Sequence, residues 1–263
     1  MAGVTMTLNQ WVKYRDLLAN LSSKAAEEFR FAVWDKNGFF KGAGLGGIPR
    51  DDLIEYAYAL VTKYSEGSTE AACELYDAIA ALSQAKVPPA VPAPTPTMQE
   101  VAKNLNGLIA QTANEEMISS ALGKMVKQAG QDTTLQNAKR DGAEVAWIPH
   151  GMTCAFCLTL ASRGWEHVTG QNLKDGHATH IHANCDCSYA VRFNGESGVA
   201  GYDPDKYKKM YYDADGNSSE QRINSMRRDF YKENADRINA QKRSAYAKRK
   251  ERESSAAEEI NVD

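Results

Sequence analysis

Four of the five cysteines in this 263-residue chain fall in two close pairs, Cys154/Cys157 and Cys185/Cys187, with His182 beside the second pair. The first pair is written Met152-Thr-Cys-Ala-Phe-Cys157, and the second closes His180-Ile-His-Ala-Asn-Cys-Asp-Cys187. A Cys-x-x-Cys turn brings two thiolates to one side of the chain, at about the separation a tetrahedral zinc ion needs. The second ligand group ties a distant segment to the first. Hydrophobic packing alone has no reason to choose cysteine twice at knuckle spacing, and disulfides need an oxidising compartment. The N-terminus runs Met1-Ala-Gly-Val-Thr-Met-Thr into Trp11 and charged residues, without the apolar core of a signal peptide. In the reducing setting this implies, paired cysteines read as metal ligands.

The cluster offers more ligands than four-coordination requires. The most economical set is Cys154, Cys157, His182 and Cys185, with Cys187 as the alternative fourth ligand. A closed set of soft ligands is a structural site, since a catalytic zinc keeps one position for water. His150, His167, His177 and His180 read as polar surface or as supports for the ligands. A nucleobase deaminase needs a His-x-Glu ligand motif ahead of its cysteines, and no histidine precedes His150. There is no Walker loop and no Gly-x-Ser-x-Gly. Glu166 and Asp175 are lone acids in a loop. No catalytic residue is assigned, and the expectation is a protein that is not an enzyme. Cys73 sits alone in a helical pattern and reads as a small buried hydrophobe.

Helical periodicity dominates the rest of the chain. Leu8 to Trp34 carries Trp11, Leu17, Leu18, Leu21, Ala25, Phe29 and Val33 at near-helical spacing. The glycine-rich stretch from Gly38 to Gly47 ends that pattern, and Pro49 with Asp51 suits a new helix through Tyr64. Glu66-Gly67-Ser68 then predicts a break before the helix carrying Cys73. Five prolines between Val87 and Pro96 predict an extended linker. Thr97-Met-Gln-Glu100 fits a capping box opening the next helix. Helical patterns follow over Glu115–Gln128 and Thr133–Arg140, with Gly130 between them. Ala143–Ile148 and Ser188–Phe193 read as short strands flanking the Cys/His block, with Leu158–Ser162 a short helix stopped by Gly164.

The predicted class is therefore mainly α, with a small zinc-stapled α+β module near residues 143–193 and a long C-terminal helix. The expected divisions are a helical region at 1–87, the proline-rich linker at 88–97 and a second helical region at 98–142. The Cys/His module at 143–193, a basic helical region at 194–252 and an acidic disordered tail at 253–263 complete them. The module alone is too small to hold together through burial. Composition (43% hydrophobic, 25% charged, net charge −3) is that of an ordinary globular protein and does not by itself select a polyanionic partner. No run of 18 apolar residues predicts a membrane span. Arg222 to Arg252 carries 11 Lys/Arg against 4 Asp/Glu, about +7. That stretch permits phosphate contacts through Arg227, Arg228, Lys248 and Arg249. It equally suits a solvated helix with i,i+4 pairs.

The run Asn137-Ala-Lys-Arg-Asp-Gly-Ala-Glu-Val-Ala-Trp-Ile-Pro-His-Gly-Met-Thr-Cys-Ala-Phe-Cys-Leu-Thr-Leu-Ala-Ser-Arg-Gly164, followed by His182-Ala-Asn-Cys-Asp-Cys187, resembles the Mu F-like minor head proteins of tailed bacteriophages. The specific likeness covers Asn137 to Phe193; the preceding helical region shares only the general layout. The resemblance implies a minor capsid protein of the virion, made in the host cytoplasm and active in head morphogenesis near the portal. It also implies portal or major capsid protein as partner, with packaged DNA a further contact. The family's paired cysteines fall on Cys154 and Cys157, and its terminal His-x-x-Cys-x-Cys on His182, Cys185 and Cys187. Asp186 departs from the arginine usual between the last two cysteines, and His180 is an added histidine. The competing reading is a zinc-ribbon nucleic-acid-binding protein using the basic C-terminal helix. A metal-dependent hydrolase ranks third.

Overall fold

The computed structural model describes residues 8–111, 114–150, 153–170, 185, 187–195 and 198–260. The chain is mainly helical, and the described residues include a small three-stranded antiparallel sheet. Helix α1 (Leu8–Trp34) buries Trp11, Leu18, Ala25, Phe29 and Val33 on one stripe. Leu17, assigned to the same stripe by spacing, instead faces solvent at 45% exposure. The following loop turns through left-handed backbone at Gly42 (φ 72°) and Gly44 (φ 64°), which glycine adopts without steric cost.

Helix α2 runs unbroken from Arg50 to Leu82, so the expected break at Glu66-Gly67-Ser68 does not occur. A glycine in a helix interior costs only about 1 kcal/mol relative to alanine. Buried residues on both sides of it, among them Leu60, Val61, Ala72, Tyr76 and Ile79, outweigh that by burying apolar surface at roughly 25 cal/mol per Å².

The proline-rich segment is extended, as its composition predicts, but it is no free linker. It straps onto two helices. The Ala90 amide donates to Asp77 Oδ1 (2.8 Å), and the Ala93 amide donates to Thr133 Oγ1 (3.0 Å). Asn137 pairs with Val91 in both directions, its Oδ1 accepting from the Val91 amide and its Nδ2 donating to the Val91 carbonyl. Arg140 donates to the carbonyls of Pro88 and Pro89. Proline removes amide donors, yet the amides of Ala90, Val91 and Ala93 each find a side chain, and Ala93 is 4% exposed. The capping box then forms as expected: the Thr97 amide donates to Glu100 Oε2 (2.8 Å) and the Glu100 amide donates to Thr97 Oγ1 (3.3 Å). It opens α3 (Met98–Gln111).

Helix α4 (Glu115–Asp141) is likewise continuous through Gly130. It starts at Asn114, whose side chain accepts from the Met117 amide, and ends at Gly142 in left-handed conformation. Gly130 marks a close helix crossing, not a break. A Cβ there would lie 2.5 Å from Ser68 Oγ and 2.9 Å from the Ser68 carbonyl oxygen.

Strand β1 (Glu144–Ile148) follows at once, then α5 (Ala155–Ala161), β2 (Glu166–His167) and β3 (Ser188–Arg192). The sheet order is β2-β1-β3, all antiparallel. The register sets Glu144 opposite Arg192, whose Nε donates to Glu144 Oε2 at 2.8 Å, and Trp147 opposite Tyr189, with ring centroids 4.7 Å apart. Both long strands are buried on both faces. Helices α6 (Pro204–Asp213) and α7 (Ser219–Ile260) complete the chain. The helical backbone of α7 continues through most of the segment expected to be a disordered tail.

Among the described residues two apolar clusters form. One joins Phe29, Val33, Leu53, Val61, Val101, Leu105, Ile118 and Leu122 from α1 to α4. The other joins Trp11, Leu18, Tyr76, Ile79, Leu135 and Ala138 to the sheet and to Cys157, Cys185 and Cys187. The sheet and its cysteines thus share a core with the helices instead of standing as a separate module.

Candidate metal centre

Two local geometries bring the cysteines together. Cys154 is the N-cap of α5 and Cys157 lies in its first turn, so a spacing of three puts both on one side of the helix end. Cys185 and Cys187 lead into β3, where alternate residues share a face. The sulfurs of Cys157, Cys185 and Cys187 all lie within 4.8 Å of one another, and all three residues are buried. Cys157 Sγ and Cys185 Sγ are 3.4 Å apart. Sulfurs around a tetrahedral ion at Zn–S distances stand about 3.8 Å apart, so the donor set and its spacing fit a soft metal ion. These three cysteines together can hold one.

Cys187, the alternative ligand by sequence economy, is therefore one of the three clustered cysteines. Cys154 is half-buried and its thiol hydrogen-bonds with that of Cys157. His182, along with His177, His180, Asp175 and Asp186, lies outside the described residues. His150 and His167 are exposed. The His150 backbone amide nevertheless donates to Cys187 Sγ at 3.4 Å. Cys73 is half-buried, outside the cluster.

The electrostatics concentrates negative charge on Cys187. The thiols of Cys157 and Cys185 donate to it, the His150 amide adds a third hydrogen bond, and the Lys127 ammonium lies nearby; together they bring its thiol down to about 4. Cys157 is pushed the other way by its hydrogen bonds to Cys154, Cys185 and Cys187 and by burial. One group of thiols thus stabilises a thiolate within it, the form that binds metal.

Helix α4 supplies a platform the sequence did not disclose. The Lys127 ammonium donates to the Cys185 carbonyl, and Gln131 Nε2, one turn on, donates to the Cys187 carbonyl at 3.4 Å. Lys127 and Gln131 are 5% and 2% exposed. Their i,i+4 spacing was visible, but an isolated lysine and glutamine on a helix read as surface until a partner segment is placed against them.

On α7, Arg227 and Arg228 are exposed, while the side chains of Lys248 and Arg249 fall outside the described residues. No helix among the described residues is long and apolar enough to cross a membrane. Comparison with curated proteins and with solved structures gives no match. Residues 5–214, well over half of the chain and including both cysteine pairs, match the model of the VG15 protein family, which points to a phage-encoded protein, and the chain belongs to that family.

Proposed function

We propose that this protein is a minor capsid protein of a tailed phage, acting in head morphogenesis near the portal, with a structural zinc ion bound by its cysteine cluster. The metal part of the reading is carried by the meeting of three buried sulfurs from two distant segments within 4.8 Å. The capsid part rests on the likeness of Asn137 to Phe193 to Mu F-like minor head proteins, and membership of a phage-related family supports it. Cys154, Cys157, Cys185 and Cys187 are the proposed ligands, with His182 as the competing fourth. A closed thiolate set leaves no position for a reacting water, so the metal's role is structural and the protein is not an enzyme.

Elemental analysis of the purified protein tests the metal. One zinc per chain, lost in Cys157→Ser and retained in Cys73→Ser, is the expected result; metal-free protein with chelator-insensitive melting overturns it. Iron in place of zinc would refute the assignment of the metal, since tetrahedral sulfur sites also suit iron. Mass spectrometry of purified virions tests the location: the protein is expected at low copy number with the portal and major capsid protein, and its absence from particles refutes the capsid role.

A second reading has one observation in its favour. Helix α7 begins beyond the family-matched stretch, and its Arg227 and Arg228 are exposed within the segment of about +7. Contact with packaged DNA would weaken steeply with salt, and charge neutralisation at Arg227, Arg228, Lys248 and Arg249 would reduce that slope. DNA binding that is absent, or flat across salt, removes this reading.

A further inference from the structure

Cys157 and Cys185 are 28 residues apart in sequence, yet their sulfurs stand 3.4 Å from each other. A disulfide bond is about 2.05 Å long, so a movement of about 1.4 Å would join them. The third sulfur of the cluster, that of Cys187, is held by the His150 amide, which donates to it at 3.4 Å. Cys157 and Cys185 are 1% and 4% exposed, but they do not meet solvent in the same way. Cys185 lines an open cleft of about 320 Å³ between α1 and α4, together with Ser23, Glu27 and Ser120. That space far exceeds the roughly 30 Å³ share of one liquid water. A small oxidant entering it meets Cys185, with Cys157 in contact behind.

We propose that the cluster is a redox-switchable staple: a peroxide reaching Cys185 through the cleft converts the metal-bound thiolates of Cys185 and Cys157 into a disulfide, so that a covalent bond replaces the metal between the same two segments. The inference concerns regulation of the proposed zinc site and rests on that reading. The Cys185 thiolate attacks one peroxide oxygen, breaking the O–O bond, releasing hydroxide and leaving a sulfenic acid. The Cys157 thiolate then attacks that sulfur, forming the S–S bond and expelling a second hydroxide. Two thiolates lose two electrons, the peroxide gains them, and two protons from solvent complete two waters. The zinc ion, deprived of two ligands, dissociates. A reducing cytoplasm keeps the metal form, whereas a particle outside the host meets conditions in which disulfides persist. Both forms tie α5 to the segment ahead of β3, so oxidation releases the metal without releasing the fold.

The test treats full-length, zinc-loaded wild-type protein with hydrogen peroxide. A chromophoric chelator follows metal release, and alkylation of free thiols before peptide mass spectrometry locates the bridge. The expected result is one zinc released per Cys157–Cys185 bridge, at the same rate, reversed by a phosphine reductant with added zinc. Cys73→Ser should behave as wild type. Bridges at Cys154–Cys157 or Cys185–Cys187 instead, or conversion to sulfinic and sulfonic acids, overturn the inference. So do zinc and thiols that survive peroxide sufficient to oxidise glutathione.

Two further measurements address the route and the staple. Ser23→Trp, which narrows the cleft without altering a ligand, should slow zinc release and bridge formation severalfold; unchanged rates refute the cleft as the route. In urea, oxidised zinc-free protein should unfold at a higher midpoint than reduced zinc-free protein, and an equal or lower midpoint refutes the staple. Wild-type protein that takes up no zinc overturns the metal reading, and this inference falls with it. Protein that binds zinc but forms no Cys157–Cys185 bridge overturns this inference alone.

Discussion

Asp132 lies on α4 at the junction with the sheet, and burial raises its carboxyl from 3.8 to about 6, against a hydrogen bond from Gln128 that acts in the opposite direction. Its charge is also felt at Tyr189, whose phenol is pushed up mainly by its own burial. The raised value means that the folded protein holds the proton more tightly than the unfolded chain does. Below pH 3.8 both states are protonated and the residue is neutral in the balance. Between about pH 4 and 6 the folded state binds more protons, so stability falls as pH rises. Above pH 6 both states are ionised and the penalty is complete. A shift of about two units is equivalent to about 3 kcal/mol, and partial exposure reduces the usable figure to about 2 kcal/mol. Asp132→Asn keeps the shape and can keep the Gln128 contact while removing the charge.

The expected outcome is that Asp132→Asn is more stable than wild type by about 2 kcal/mol at pH 7, with the advantage disappearing near pH 4. For a chain of this size that is a rise in Tm of about 4–8 °C. Urea denaturation followed by circular dichroism from pH 4 to 8 measures it. Both proteins should be studied with the same zinc concentration, so that metal-linked changes cancel in the difference. A difference that does not vary with pH, or a variant less stable at pH 7, refutes the assignment of a buried, reluctantly ionised carboxyl to this position.

Two further substitutions probe features that sequence patterns misplaced. Gly130→Ala should destabilise by about 1–3 kcal/mol in urea denaturation, because the added Cβ meets backbone and not only a flexible side chain; a stabilised variant, as helix propensity alone predicts, would contradict the close crossing. Asn137→Ala removes both bonds to Val91 and the one to the Thr133 carbonyl and should cost about 2–3 kcal/mol. Limited proteolysis should then cut within residues 87–96 faster than in wild type, and an unchanged cutting rate would show that the strap is held by other contacts.

The elements most legible in the sequence were those specified locally. The Thr97–Glu100 capping box and the short strands read at 143–148 and 188–193 depend on residues within a few positions, and they form. The misreadings share a cause. Gly67 and Gly130 look like breaks because glycine disfavours helix, but both lie where tertiary packing on flanking residues decides the outcome, and Gly130 is needed for the approach of Ser68. The prolines at 88–96 give an extended chain, while Asn137, Thr133 and Asp77, which turn it into a strap, are distant in sequence. Strand β2 has only two residues and no pattern to detect. At the site, cysteine chemistry and spacing announced the cluster, but the meeting of Cys187 with Cys157 and Cys185 and the platform of Lys127 and Gln131 required the fold.

That platform changes what loss of metal should do. An isolated zinc module unfolds on chelation because binding free energy is its folding free energy. Here Cys157, Cys185 and Cys187 belong to the same apolar cluster as Trp11, Tyr76 and Leu135, so the sheet has burial to fall back on and the helices lose part of their own core with the metal. Chelation should therefore lower the stability of the whole α1–α2–α4–sheet unit as one transition and leave no folded helical body beside a molten module. Hydrogen exchange separates the alternatives. Amides of β1 and those of α4 around Leu135 should lose protection by similar free energies when zinc is removed, as expected of one cooperative unit. Loss confined to residues 144–192, with α4 unchanged, would mean that the cysteine segment is an autonomous staple and that the shared core carries little of its stability.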